Sequence, residues 1–137
     1  MSQWTHINAS IRFDGIQGTE LLPTEKELGK ICRWGDKDDS HWENPDLPCG
    51  SEGSLEYKII LNPDQNSLAA MVVVFYGDLR DYDDVDEIID YFNKIVKNKS
   101  IRSGILEIDL EYENILIYQF DESSKTWKKI YRNNESK

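Results

Sequence analysis

The chain has 137 residues, 39% hydrophobic and 31% charged, a composition that suits one globular domain and excludes a disordered chain. Its formal net charge of -10 argues against nucleic acid or an anionic membrane as the main partner. Two cysteines, Cys32 and Cys49, make no disulfide framework, and Met1 is followed by polar residues and a tryptophan rather than a signal peptide, so a cytosolic protein is expected.

Residues Trp4 to Phe13 alternate. Thr5, Ile7, Ala9, Ile11 and Phe13 form an apolar set, and Trp4, His6, Asn8, Ser10 and Arg12 form the opposite one, the pattern of a first strand. Asp14-Gly15 ends it. Thr24 then offers an N-cap, with Glu27 at the capping-box position, for a short helix running to about Cys32 or Arg33 with Leu28 and Ile31 inward. Gly29 weakens that helix by about 1 kcal/mol relative to alanine.

The stretch from Gly35 to Ser54 is the least regular, broken by Gly35, Pro45, Pro48, Gly50 and Gly53. Loops of this length are often functional or disordered, and Trp34 and Trp42 argue that this one packs against something. Leu55 to Leu61 reads as a second strand. The Asn62-Pro63-Asp64-Gln65-Asn66 turn leads from it into a hairpin with the next run.

That run, Leu68 to Tyr76, is continuously apolar and rich in valine, as in a central strand buried on both faces. It is far short of the roughly 20 residues of a membrane span. A turn through Gly77-Asp78-Leu79-Arg80-Asp81-Tyr82 follows. Asp84 is an N-cap with Glu87 three residues on, and Val85, Ile88, Ile89, Phe92 and Val96 make one apolar helical stripe. Acidic residues at the start of this helix and Lys94, Lys97 and Lys99 toward its end suit the helix dipole, and Asn98 is its stop.

Ile101 to Tyr112 alternates again, with Gly104, Leu106, Ile108, Leu110 and Tyr112 on one face and Ser103, Glu107, Asp109 and Glu111 on the other. Ile115 to Phe120 and Trp127 to Tyr131 give two further strands, and the polar residues from 133 to 137 form a frayed tail beyond a single domain of residues 1–132. The expected architecture is α+β: a ferredoxin-like (βαββαβ) antiparallel sheet with helices on one face and a C-terminal β-hairpin extension. An α+β sheet with another strand order is the alternative.

Four groups of residues are candidate sites. Between Asp78 and Asp90 lie seven acidic residues and one basic residue, Arg80. Asp78, Asp81, Asp83, Asp84 and Asp86 in this turn, with Trp34 and Trp42 of the long loop, would make a surface for a protein partner that is itself basic. Capping and solvation account for part of the same acidity. Gly50-Ser51-Glu52-Gly53-Ser54 could cradle an anion with its amides, and Arg12, Arg80 and Arg102 would join it if the fold brought them together. It lacks the lysine and helix of a phosphate-binding loop. Cys32, His41 and Cys49, with His6, have spacings that match no compact zinc pairing. No metal, no cofactor and no catalytic set is expected.

Trp4-Thr5-His6, Ile11-Arg12-Phe13-Asp14, Gly50 to Tyr57 and Gly77 to Asp83 together resemble stretches of small uncharacterised phage and prophage proteins of Gram-positive bacteria. The resemblance implies an accessory phage gene, and small acidic proteins of that kind include inhibitors of host defence, anti-CRISPR proteins among them. A non-enzymatic inhibitor of a nucleic-acid-handling defence protein in the host cytoplasm is therefore expected. A small-molecule sponge for a nucleotide signal, using the three arginines, is the alternative.

Overall fold

The computed structural model describes residues 3–15, 20–31, 46–61 and 69–132. The strands are β1 (Trp4–Gly15), β2 (Glu56–Leu61), β3 (Ala69–Arg80), β4 (Ile101–Leu110), β5 (Ile115–Asp121) and β6 (Thr126–Arg132). The helices are α1 (Glu25–Leu28) and α2 (Val85–Val96). All six strands form one sheet in the order β2-β3-β1-β4-β5-β6, and every neighbouring pair is antiparallel.

The alternation in β1 decides the layers. Thr5, Ile7, Ala9, Ile11 and Phe13 are all buried, and the register sets Ile7 against Ile108, Ala9 against Phe75 and Leu106, and Ile11 against Val73. These residues line one face of the sheet, and α2 packs beneath them through Ile88, Tyr91, Phe92, Ile95 and Val96. Phe92 meets Phe75 edge-on at 5.0 Å and Trp127 at 5.9 Å between ring centres. The Trp127 indole also donates to the Phe92 carbonyl at 3.2 Å. Its ring lies over Gly104, where a Cβ would come within 2.7 Å of it. The helix is thus held by shape as well as by area, each buried side chain contributing roughly 1.5–3 kcal/mol.

The ferredoxin-like expectation is corrected by this sheet, which is six strands wide and, among the described residues, carries only two short helices. Helix α1 is a single turn of four residues. Its predicted capping box is present, with Thr24 and Glu27 bonded reciprocally. Gly29 then sits at φ 106 against Asp46, and the chain leaves the helix there; Cys32 and Arg33 lie outside the described residues. Beside this short α1, Leu22, Leu28, Leu47 and Leu55 are buried in the core layer. The carbonyls left at the end of α1 are bonded by tyrosines, Tyr91 to Leu28 at 2.7 Å and Tyr57 to Gly29 at 2.8 Å. The C-terminal strands do form the expected antiparallel hairpin extension. They continue the sheet through β4, and Trp127 reaches the core.

Two further readings change. Strand β3 does not end at Tyr76 but runs through Gly77-Asp78-Leu79-Arg80, and it is buried on one face only, with Tyr76 44% exposed. Tyr112 is not in β4; it stands in the following turn at φ 67 and is 76% exposed. Phe92→Ala should cost about 3–5 kcal/mol, measured by urea unfolding. A loss below about 1 kcal/mol would show that the aromatic stack is not what holds α2.

Candidate binding site: the acidic end of the sheet

Strand β1 starts, and β3 and β4 finish, at one end of the sheet, where the register brings Trp4 opposite Arg80 and His6 opposite both Asp78 and Asp109. Gln3 ties the neighbouring turns together. Its carbonyl accepts from the Asp81 amide at 2.7 Å, and its side-chain amide donates to the Glu111 carbonyl at 2.8 Å. The Thr5 hydroxyl donates to the Tyr82 carbonyl. Asp84 caps α2, accepting from the Glu87 amide at 3.0 Å, so the helix starts at this same end.

The glycine-rich loop is part of this scaffold rather than an anion cradle. Its Ser51 amide donates to the Arg80 carbonyl at 2.9 Å, and the Arg80 amide donates to the Glu52 carbonyl at 3.0 Å. The Gly50 amide is used within the loop by the Gly53 carbonyl. A Cβ on Gly53 would lie 1.9 Å from the Asp78 carbonyl oxygen, and one on Gly50 would lie 2.5 Å from the Arg80 backbone. Gly53 also has φ 78. The glycines are needed for this close backbone approach, which extends β3 by two residue pairs' worth of bonding beyond β2.

Carboxylates from four segments meet here. Asp78 belongs to β3, Asp81 and Asp83 to the turn, Asp84 and Asp86 to the start of α2, and Asp109, Glu111 and Glu113 to the end of β4 and the turn after it. Asp81, Asp83, Asp84, Asp86 and Glu113 are exposed. The cations threaded among them are held between acids. Arg80 pairs with Glu52 at 2.6 Å and approaches Asp81 at 3.8 Å. His6 bonds Asp78 at 2.6 Å through Nδ1 and Glu111 at 3.3 Å through Nε2. The hydrogen bond to Asp78 raises the His6 pKa; partial burial opposes it, and Glu111 adds to it. Beside Glu111 stands the exposed ring of Tyr112, which with Val85, Asp86, Leu110 and Glu113 lines a shallow groove.

The predicted residues divide clearly. Asp78, Asp81, Asp83, Asp84 and Asp86 do come together, although Asp84 and Asp81 also have structural tasks. Trp34 and Trp42 lie outside the described residues. The three arginines are not assembled. Arg80 and Arg12 are eight residues apart along β1 and β3, about 26 Å at the strand rise, and Arg102 pairs with Asp14 at Arg12's end. Cys32 and His41 also lie outside the described residues, among which no group of three could hold a metal ion. Sequence reasoning missed the joining of Asp109, Glu111 and His6 to the acidic turn. Each was assigned to the solvent face by alternation, and only the register between strands reveals that they are neighbours.

No protein-family model, curated protein or solved structure matches the chain. No helix among the described residues is long and apolar enough to cross a membrane.

Two measurements test the construction. His6 is bonded with its pKa above the ordinary 6.5, so its stabilising effect is complete below that value and is lost as pH rises through the raised one. The thermal midpoint should fall as pH rises above 6.5 through the raised value, and less so in His6→Gln; a ring titration by NMR with a midpoint at or below 6.5 would contradict the pairing. Gly53→Ala should lose roughly 2 kcal/mol or more in urea unfolding, whereas a flexible turn would tolerate it.

Proposed function

We propose that the protein is a non-enzymatic binding module whose acidic end receives a basic surface of a partner protein. The observation that carries this reading is the convergence of carboxylates from β3, α2 and the β4–β5 turn on one end, with His6 and Arg80 already held by acids. A lysine- or arginine-rich surface would find unsatisfied negative potential there, and Tyr112 offers an exposed ring on which a cation can stack. Read with the resemblance to phage accessory proteins, the partner would be a host defence protein that handles nucleic acid, since the groove such a protein uses for phosphates is basic. The acidic end would then occupy the place of a phosphate backbone. The arginine-based sponge is not favoured, because Arg12 and Arg80 stand at opposite ends of the sheet.

The test is binding of an oligo-arginine peptide, and capture of a protein from a Gram-positive host lysate, each at low and high salt. Asp83, Asp86 and Glu113 are exposed, so reversing them to lysine leaves the scaffold bonds in place. That variant should bind the peptide about tenfold more weakly at low salt and capture nothing. Reversing Glu20, Asp90 and Glu122, which are exposed elsewhere, changes the net charge equally and should leave both intact. Equal losses in the two variants would mean that net charge alone drives binding, and the site would be withdrawn.

A further inference from the structure

The sheet has a second face, and no described part of the chain covers it. Its side chains follow from the register. One cross-strand row reads Lys58, Val74, Ser10, Ile105, Gln119, Lys128, and the next, toward the acidic end, reads Glu56, Tyr76, Asn8, Glu107, Ile117, Tyr131. Outside the first row lie Ile60, Val72 and Arg12; outside the second lie Asp78, His6 and Asp109. Ile60, Tyr76, Ile105 and Tyr131 are each between 44% and 55% exposed, an unusual density of large apolar groups on a wet sheet face.

The charges on this face are segregated. One half is basic on balance, carrying Arg12, Lys58 and Lys128, with Asp121 paired to Lys128 at 2.9 Å and Asp14 at the strand end; the other is acidic on balance, carrying Glu56, Glu107, Asp109 and Asp78 with its bonded His6, and ends at Arg80, which is paired with Glu52. The boundary falls between the two central rows; Val74, Ile105, Tyr76, Ile117 and Tyr131 flank it, while Ile60 lies farther out in the basic half. A surface divided in this way complements itself. A two-fold axis lying across the strands at the boundary sets the basic half of one copy on the acidic half of the other. Arg12 then falls against the Asp78–His6–Asp109 row, while Val74 and Ile105 meet the row of Tyr76 and Ile117.

We infer that the open face is a self-association surface on which a second copy of this chain packs face to face with its strands reversed, giving a two-layer sandwich. A C2 contact requires a self-complementary patch, and aligned sheets about 10 Å apart are a standard way to bury one. The face spans about 24 Å across six strands and about 20 Å from His6 to Arg12. That area is at the small end for a specific interface, so a reversible dimer is expected. The acidic turn and the start of α2 lie beyond the sheet, and they stay open in such a dimer.

Sedimentation equilibrium of the full chain over a concentration series tests this. The wild type should show a monomer–dimer equilibrium that weakens as salt is raised. Arg12→Glu with Lys58→Glu in one chain, and Glu107→Lys with Asp109→Lys in another, should each weaken self-association about tenfold or more. Mixed in equal amounts, the two variants should form heterodimers as tight as the wild-type dimer, because each half then meets its opposite. Thermal melts confirm that both remain folded; should either not fold, Ile105→Lys, an exposed position, replaces it and should abolish the dimer. A wild type that stays monomeric, a dimer unaffected by these changes, or a mixture that does not recover would overturn the inference.

Discussion

The edge-to-face contacts of Phe92 with Phe75 and Trp127 join three distant parts of the chain, a central strand, the one substantial helix and the last strand. Everything on the covered side depends on this junction. A single helix about 10 Å across cannot blanket six strands, so it must lie where its largest side chains touch the most strands at once. Trp127 makes that possible by reaching in from β6 over Gly104, whose missing side chain leaves the space. Tyr91 extends the same helix face toward α1 through its bond to the Leu28 carbonyl, and burial raises its pKa. The aromatic row therefore replaces the second helix that a larger α+β layer would supply.

Covering one face only has a consequence for the other. Every second residue of β1, β3 and β4 is committed to the core, so their alternates are committed to the outside. Charge is then free to segregate along the strands without disturbing packing. It does so in the same direction as the acidic end, because the strands that finish there bring Asp78 and Asp109 on their outer face up to the turn, with Arg80 beyond Asp78 held by Glu52. The acidic end and the divided outer face are two parts of one charge gradient, and His6 sits where they meet.

Much of this was legible from single strands. The alternation in Trp4 to Phe13 and in Ile101 to Leu110 named the inward residues correctly, and the caps at Thr24 and Asp84 marked both helix starts. What failed depended on pairing. Gly77-Asp78 carries turn chemistry, yet the chain stays extended there because Ser51 and Glu52 bond to Arg80 from the side. The valine run of β3 suggested burial on both faces, but Val72 and Val74 are only half-buried, because the local pattern does not report which face the described part of the chain covers. The expected helix stripe does face the core, with Ile88, Phe92 and Val96 buried and Val85 and Ile89 partly buried against it; Tyr91 and Ile95 widen the stripe beyond what the periodicity named.

The acidity of the site exceeds what the fold requires. Asp84 is needed as a cap, and Asp86 and Glu87 suit the helix N-terminus, together worth on the order of 1–2 kcal/mol. Asp81 is fixed by Gln3 and Ser51. Asp83, Asp109, Glu111 and Glu113 have no such local demand, and within a Debye length of about 8 Å at physiological salt they repel one another. The fold answers this locally, by placing Arg80 against Glu52 and His6, whose pKa is raised by the Asp78 hydrogen bond, between Asp78 and Glu111. Compensation built into a cluster of like charge lets the cluster persist rather than removing it. A sequence under no pressure but stability would relieve the repulsion more simply, by replacing one or two exposed carboxylates with neutral residues. The carboxylates beyond the helix cap, together with the Arg80 and His6 contacts among them, are what supports the proposed reading of this end of the sheet as a surface for a positively charged partner.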